Sequence, residues 1–327
     1  MENKENISQT ENMLAPAEET ANTAKDVPVS ADIVMHARDI SQVSMKQKMG
    51  KIVITTVIYL FLSLIALTVL FPFYWMLISS LKSVSEYNEA VPTFFPKDIR
   101  WNNYAKAFKV GGLGRLFLNT TYVGIVSTIL SLIITVLSAF AFARLEFKGK
   151  NVFFAFLLAT MMIPGELFTI TNYGTVADWG WLGTYKVLII PFLVSVFYIY
   201  LLKQNFMQIP NELYLAAKVD GTTDLKYLWK VMIPLALPTL ISITILKMMG
   251  AWNTYMWPRL VANDDAHKLI TNGLRDLTLT EDGTSGGVQS IPLQMAAVAT
   301  VSAPLFMVFL CLRKYIMKGV SRSGIKG

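Results

Sequence analysis

Long uncharged stretches alternate with short charged segments along most of this chain. A transmembrane helix needs about 20 predominantly apolar residues to cross roughly 30 Å of hydrocarbon. Six stretches approach or exceed that length: 52–81, 116–143, 152–171, 187–202, 231–258 and 291–312. Pro164 and Glu166 interrupt the third, and Lys247 and Gly250 interrupt the fifth. The pattern predicts an all-α polytopic membrane protein with six transmembrane helices.

The first 45 residues lack this pattern. They are polar, net acidic and poor in aromatic side chains, so they hold little apolar surface to offset the entropy cost of ordering. No basic segment followed by a short apolar core marks a signal peptide. We expect residues 1–45 to form a disordered or loosely helical cytoplasmic tail and residues 46–327 to form the transmembrane domain.

Lys and Arg residues concentrate in connections that fall on one side of the six spans. They cluster at 46–51, 144–150, 203–230 and 313–326, whereas acidic residues cluster at 264–282. Short cytoplasmic connections carry an excess of Lys and Arg, so both termini are expected in the cytoplasm. The connection after the first span is mixed in charge, which weakens this signal without reversing it.

The composition agrees with a membrane protein and argues against several other functions. Apolar residues make up 54% of the chain and charged residues only 16%, against about 25% charged in soluble proteins. The net charge of +7 comes without the dense basic run or aromatic–basic stripe of a nucleic-acid-binding protein. Cys311 is the only cysteine, which excludes a disulfide framework and a cysteine-based zinc site.

No motif for catalysis is present. The chain has no G-x-x-x-x-G-K-[ST] phosphate-binding loop, so ATP hydrolysis by that route needs a separate polypeptide. His36 and His267 stand apart from any cluster of carboxylates. We expect no catalytic residues, no metal site and no cofactor.

The connection between the fourth and fifth spans, about residues 208–230, is too long and too patterned for a plain turn. Pro210 suits a first helical turn, and the helix dipole favours Glu212 just after it. Gly221 follows Asp220 as a helix-stop signal. A threonine at 222 or 223 can then cap a second helix that runs into span five. The small side chains at 216 and 217 would let a soluble partner approach closely.

This connection resembles the cytoplasmic "EAA" loop of binding-protein-dependent ABC importer permeases. That loop has the form E-L-x-E-A-A-x-x-D-G-A, followed by an apolar-Pro-Leu-x-x-x-Pro stretch. The matching residues are Glu212, Leu213, Ala216, Ala217, Asp220 and Gly221, then Ile233, Pro234, Leu235 and Pro238. The chain departs at Leu215, where the motif has Glu, and at Thr222, where it has Ala. Segments 72–75 (PFYW), 141–144 (AFAR), 161–164 (MMIP), 252–253 (WN) and 257–258 (WP) are similar to maltose-type carbohydrate permeases.

The resemblance implies a type I ABC importer permease fold in a bacterial inner membrane. It implies a sugar or oligosaccharide as substrate, and as partners a second homologous permease, two cytoplasmic ATPase subunits and an extracytoplasmic binding protein. The loop from Glu212 to Thr222 would then be the coupling helix on the ATPase, with Leu215 putting one expected polar contact in question. The external connection, about 259–290, would contact the binding protein.

Polar groups inside spans are costly and often mark a transport pathway. Lys247 and Glu166 are candidates for such a pathway; the alternatives are a pair between them or a lysine that extends to the interface. Further candidates, by hydrogen bonding or ring stacking with a sugar, are Trp252, Asn253, Tyr255 and Gln294. Helix packing and interface anchoring are the alternative for these four.

Two other functions remain open at this point. One is an ABC permease for a solute other than a sugar. The other is a secondary transporter, which should show interrupted half-helices at paired positions and would not need the patterned cytoplasmic loop.

Overall fold

The computed structural model describes residues 31–262, 264–277, 279–280 and 289–321. Over these residues the regular secondary structure is helical, and the β-pairing consists of one isolated bridge between Thr280 and Gln289. The α-helices are α1 (Ala31–Ser80), α2 (Val84–Tyr87), α3 (Asn102–Val110), α4 (Leu113–Arg144), α5 (Lys150–Thr160), α6 (Thr169–Asp178), α7 (Tyr185–Ile189), α8 (Val196–Met207), α9 (Asn211–Val219), α10 (Asp224–Tyr227), α11 (Ile233–Leu235), α12 (Leu237–Asn253), α13 (Met256–Val261), α14 (Ile270–Asp276) and α15 (Ile291–Ser321).

The chain divides into two compact units, residues 1–72 and 73–327. In the first unit, α1 begins at Ala31, so positions 31–45 of the predicted tail are helical and continue into the first span. Residues 1–30 of that tail lie outside the described residues. The stretch of α1 from Met49 is uncharged except for Lys51 and long enough to cross a membrane.

The described helices account for the predicted spans in two ways. Met49–Ser80, Leu113–Arg144 and Ile291–Cys311 are continuous helices of sufficient length and apolarity. Three further helix pairs meet the same criteria but are bent, by 81° between α5 and Gly165–Asp178, 44° between Tyr185–Phe192 and α8, and 80° between Asp224–Leu235 and α12. If each bent pair is one span, the structure contains up to six, the number that the sequence predicts.

The prediction of where the fifth span is interrupted was wrong. Lys247 and Gly250 lie inside α12, which runs unbroken from Leu237 to Asn253. The sharp bend falls at Ala236, which separates α11 from α12 and lies between two prolines. A proline ring removes a backbone donor and clashes with the preceding turn, so prolines are a usual cause of sharp helix bends.

The second unit is packed around α4. Its C-terminal half, which the sequence predicts to be on the cytoplasmic side, packs in a cluster with α8 and the π-helical turn Leu228–Met232 (the inner core cluster). Its N-terminal half packs in a second cluster with α3, α12, α14 and α15. Small polar residues line its buried face, at positions 127, 128, 131 and 135. Small residues let transmembrane helices approach closely. Gly124 of α4 illustrates this, because a Cβ there would lie 2.9 Å from the Met248 sulfur of α12.

The described residues of the predicted external connection pack against the rest of the protein. Leu269, Ile270 and Leu279 are buried. The Asn119 side chain donates to the carbonyl oxygens of Ala266 (2.8 Å) and Lys268 (3.0 Å), and the Thr120 hydroxyl accepts from the Ile270 N–H at 2.8 Å. Polar groups near the N-terminus of α4 therefore hold this segment in place.

Replacing Gly273 by alanine should loosen the external connection. A Cβ at Gly273 would lie 2.3 Å from Cδ1 of Leu116, in a buried cluster where the leucine has little room to move. Overpacking of this kind typically costs about 1–3 kcal/mol. We expect a lower melting temperature and faster proteolysis of the connection in the detergent-purified protein.

Gly174→Ala is the matched control, since a Cβ there meets nothing within 4 Å. That variant should melt at the parent temperature or slightly above it, because alanine is the better helix former. Equal melting temperatures for the two variants would show that the contact with Leu116 relaxes freely.

Candidate coupling loop and membrane cavity

Helix α9 and the turn after it lie where the sequence predicts them. Pro210 precedes the helix with φ −55°. The helix ends in a Schellman motif, in which the Thr222 N–H donates to the Ala217 carbonyl (2.8 Å) and the Gly221 N–H donates to the Lys218 carbonyl (3.0 Å). Gly221 has φ +68°, a left-handed conformation that glycine adopts without a steric penalty.

One face of α9 packs on the protein and the opposite face is open. Tyr214 and Ala217 pack against the inner core cluster, where the Tyr214 and Tyr227 rings lie 5.2 Å apart. At 3.6 residues per turn, Glu212, Leu215, Ala216 and Val219 point the other way. Leu213 lies on the flank of that open face. All five are exposed, including three large apolar side chains.

The start of α9 is anchored by Arg144, the last residue of α4. Its guanidinium donates to the carbonyl oxygens of Phe206 (3.0 Å) and Ile209, and to the Asn211 side-chain oxygen at 3.3 Å. Arg144 is only 9% exposed. From the sequence, Arg144 was one of several positive charges expected on the cytoplasmic side. Its hydrogen bonds to the backbone between α8 and α9 were not predicted.

The end of α9 is tied to α10 across the Gly221 turn. The Lys218 ammonium and Asp224 carboxylate lie 2.6 Å apart, and the Tyr214 hydroxyl donates to the same carboxylate oxygen at 2.7 Å. The hydrogen bond to Asp224 raises the pKa of Lys218. Burial, and then the bond to Asp224, raises the pKa of Tyr214. The ion pair therefore persists across physiological pH and fixes the angle between the two helices.

A cavity of ≈ 360 Å³ lies at the break in the bent pair Tyr185–Phe192 and α8. It is bounded by α4, by the break between α7 and α8, and by α12 and α13. Irregular backbone at membrane depth is tolerated where it lines a cavity or is buried in protein. Lys247 supplies a hydrogen-bond donor to this irregular backbone, because its ammonium donates to the Phe192 carbonyl beside the break.

Of the predicted pathway residues, only Lys247 lines this cavity. Its partner is the Phe192 carbonyl and not Glu166, which is exposed in the 3₁₀ turn Gly165–Phe168. The exposed Asn253 side chain donates to Met249 in its own helix.

The other three pathway candidates pack within the protein. Trp252 is buried with its ring 5.7 Å from that of Phe117. Tyr255 and Gln294 both contact the external connection, through the Arg275 guanidinium and the Leu277 carbonyl respectively. The structure therefore does not bring the six candidates together.

A family model described as the inner membrane component of binding-protein-dependent transport systems matches residues 131–322. The chain belongs to this family. It is thus the permease component of a bacterial ABC importer, in which ATP is hydrolysed by a separate subunit and a binding protein participates. The matched region contains α9, the bend at Ala236 and every cavity residue except Val123 and Ser127.

Individual relatives cover most of the permease. It is 28% identical to the arabinooligosaccharides transport system permease protein AraQ of Halalkalibacterium halodurans, over 86% of this chain and 100% of that protein. It is 26% identical to the sn-glycerol-3-phosphate transport system permease protein UgpE of Yersinia pestis, over 78% and 91%. It is 27% identical to the polygalacturonan/rhamnogalacturonan transport system permease protein YtcP of Bacillus subtilis, over 83% and 97%.

A solved structure has the same fold. The crystal structure of a bacterial ABC transporter involved in the import of the acidic polysaccharide alginate contains a chain that matches with a TM-score of 0.73 and 26% identity. The match covers 80% of the permease and 96% of that chain. The predicted ABC importer permease fold is confirmed.

Replacing Arg144 by methionine should free the start of α9 without removing the apolar bulk of the side chain. Each buried carbonyl that loses its donor costs about 1–3 kcal/mol. We expect membrane insertion to persist, proteolysis between α8 and α9 to accelerate, and ATPase activity of the assembled transporter to fall. Lys148→Met is the control, because Lys148 is exposed on the next turn. Unchanged proteolysis and ATPase activity in Arg144→Met would contradict the anchoring role.

Proposed function

We propose that this permease imports a carbohydrate and receives the force for transport through α9. The open face of α9 carries the proposal: a short helix is held at both ends yet presents Glu212, Ala216 and Val219 outward, together with the exposed side chains of Leu213 and Leu215. Exposed apolar groups grouped on one surface of a protein commonly mark a protein-binding site. The ATPase subunit that the family requires is the partner that this surface fits.

The coupling residues are those of the loop motif. Ala216 and the backbone at Gly221 let the partner approach, and Glu212 supplies charge at the helix start. Leu213, Leu215 and Val219 form an apolar surface for a groove on the ATPase. Ala217, Asp220 and Thr222 act within the loop, by packing and by closing its helix end. Motion of α9 would reach the spans through Arg144, which binds it to α4.

The carbohydrate assignment is supported by the names of the relatives, which include arabinooligosaccharide, polygalacturonan/rhamnogalacturonan and sn-glycerol-3-phosphate systems. The cavity at Lys247 is the segment of the pathway that this chain would contribute. Its volume falls within the ~300–1,000 Å³ typical of small-molecule sites. Glu166, Asn253, Tyr255, Trp252 and Gln294 would act on transport through packing or at the outer surface.

The proposed arrangement is a multi-pass protein of a bacterial cytoplasmic membrane with both termini inside, as the Lys and Arg placement favours. In this arrangement the residues before the first span form a cytoplasmic tail, and the connection 208–230 faces the ATPase. The external connection, about 259–290, faces the binding protein. A second homologous permease and two ATPase subunits complete the transporter, surrounded by membrane lipid.

An arginine in place of Ala216 should prevent docking of the ATPase. The bulky charge would stand on the open face of α9 while leaving the packed face intact. We expect the variant permease to reach the membrane at parent levels, to lose co-purification of the ATPase subunit, and to lose uptake. Ala105→Arg in α3 is the matched control, because Ala105 is also an exposed alanine of a short helix. Co-purification of the ATPase at the parent level with Ala216→Arg would exclude α9 as the docking site.

Valine in place of Gly221 should uncouple the permease by deforming the turn after α9. A left-handed conformation costs a residue with a Cβ about 1–2 kcal/mol, which shifts an equilibrium by about 5- to 30-fold. We expect binding-protein-stimulated ATPase activity to fall by about that factor.

Gly112→Val controls for the strain itself, because Gly112 also has a positive φ, of 57°, with open space around it. It precedes α4 at the end remote from Arg144. A similar loss of activity in both variants would indicate general destabilisation instead of a defect in coupling.

A further inference from the structure

The cavity between α4, α8 and α12 contains one cation and no carboxylate. Fifteen residues line it, all within the described part of the chain, and none is Asp, Glu, Arg or His. The single ammonium group is that of Lys247. The cavity is therefore a positively charged compartment with mostly apolar walls.

Among the described residues, Lys247 has only a neutral partner. Its ammonium donates to the Phe192 carbonyl, whereas an ammonium group carries three donors. Its side chain is partly withdrawn from solvent, and an ionised group inside a membrane protein is costly unless it is paired with an opposite charge or faces water. Lys247 accordingly leaves donor capacity directed at whatever fills the cavity.

The rest of the lining suits the remainder of a sugar. Thr254 and Tyr198 line the cavity, and their hydroxyl groups have no hydrogen-bond partner among the described residues. Phe192 and Trp257 add aromatic rings, which meet edge to face with centroids 5.8 Å apart. Hydroxyls can bond to sugar hydroxyls, and rings can pack on the apolar faces of a pyranose. The ammonium of Lys247 is therefore the one group of the lining that favours an anionic ligand.

We infer that the substrate of this permease is an acidic carbohydrate, and that its carboxylate or phosphate group pairs with Lys247 in this cavity. The inference rests on the proposed carbohydrate function and specifies its substrate class. A hydrogen bond between the ammonium and an anionic oxygen is about twice as strong as one between neutral groups. Lys247 would thus favour a charged sugar over its uncharged counterpart during passage through the membrane.

The test uses the whole transporter, with its partner permease, ATPase subunits and binding protein, in proteoliposomes. Uptake is measured for short uronic-acid oligosaccharides, each compared with its methyl ester, and for a sugar phosphate compared with the parent sugar. We expect the parent transporter to prefer at least one acidic member over its neutral counterpart. Lys247→Met should reduce uptake of that member roughly 10- to 100-fold, and Lys247→Arg should retain most of the preference.

Lys186→Met provides the control, because Lys186 is exposed and does not line the cavity; it should leave the preference unchanged. The binding protein is the same in every variant, so a change in preference reports on this chain. Preference for the acidic member that persists in Lys247→Met would overturn the inference. So would uptake of only neutral sugars by the parent transporter, which would leave the carbohydrate function standing.

Two further outcomes separate the inference from the proposed function. Failure of Lys247→Met to co-purify with the second permease would show that the ammonium pairs with that subunit, and would overturn the inference alone. An active transporter that imports no member of either set and instead takes up a solute that is not a carbohydrate would overturn both the carbohydrate function and the inference.

Discussion

Hydrogen bonds from side chains at the two ends of α4 hold two irregular connections, one between α8 and α9 and one between α13 and α14. At the C-terminal end, Arg144 donates to the carbonyl oxygens of Phe206 and Ile209. At the N-terminal end, Asn119 donates to the carbonyls of Ala266 and Lys268, and Thr120 accepts from the Ile270 N–H. Non-helical backbone in or next to a membrane must find partners within the protein. A single long helix supplies them on both sides.

This arrangement gives a physical reason for the position of the proposed coupling helix. Because α9 is bound to α4 through Arg144 and to α10 through the Lys218–Asp224 pair, a force on α9 acts on two elements at once. One is the central helix of the packed unit. The other leads to the bend at Ala236, where the chain turns by 80° into α12 and towards Lys247. Movement of the ATPase could thus change the cavity through α12 while α4 serves as the fixed element.

The sequence predicted the features that depend on local composition. Uncharged stretches located the spans, and the Pro210, Asp220 and Gly221 signals located α9 and its turn, because both follow from solvation and backbone preference within a few residues. The bend at Ala236 was misplaced to Lys247 and Gly250, since a lysine and a glycine weaken an apolar pattern without breaking a helix. The prolines on either side of Ala236 were the usable signal.

Features that depend on contacts between distant residues could not be predicted. Arg144 and Asn119 bond to carbonyls 62 to 149 positions away, and nothing in their neighbourhoods distinguishes an anchoring side chain from a charge or amide at the membrane surface. The same limit applies to Trp252, whose aromatic character suits a sugar site or a core equally well. Only the packing of α12 against α4 and α15 decides between them.

The position of Leu215 on α9 bears on whether the departure from the loop motif disables coupling. The open face lies opposite Tyr214 and Ala217, and Leu215 lies about 50° from its centre, as far to one side as Ala216 does to the other. A glutamate there would face the proposed partner directly. Leu215 instead joins Val219 in an apolar surface on this face. The departure from the loop motif thus replaces a charge by apolar area in the proposed docking surface, which an ATPase with an apolar groove wall would match.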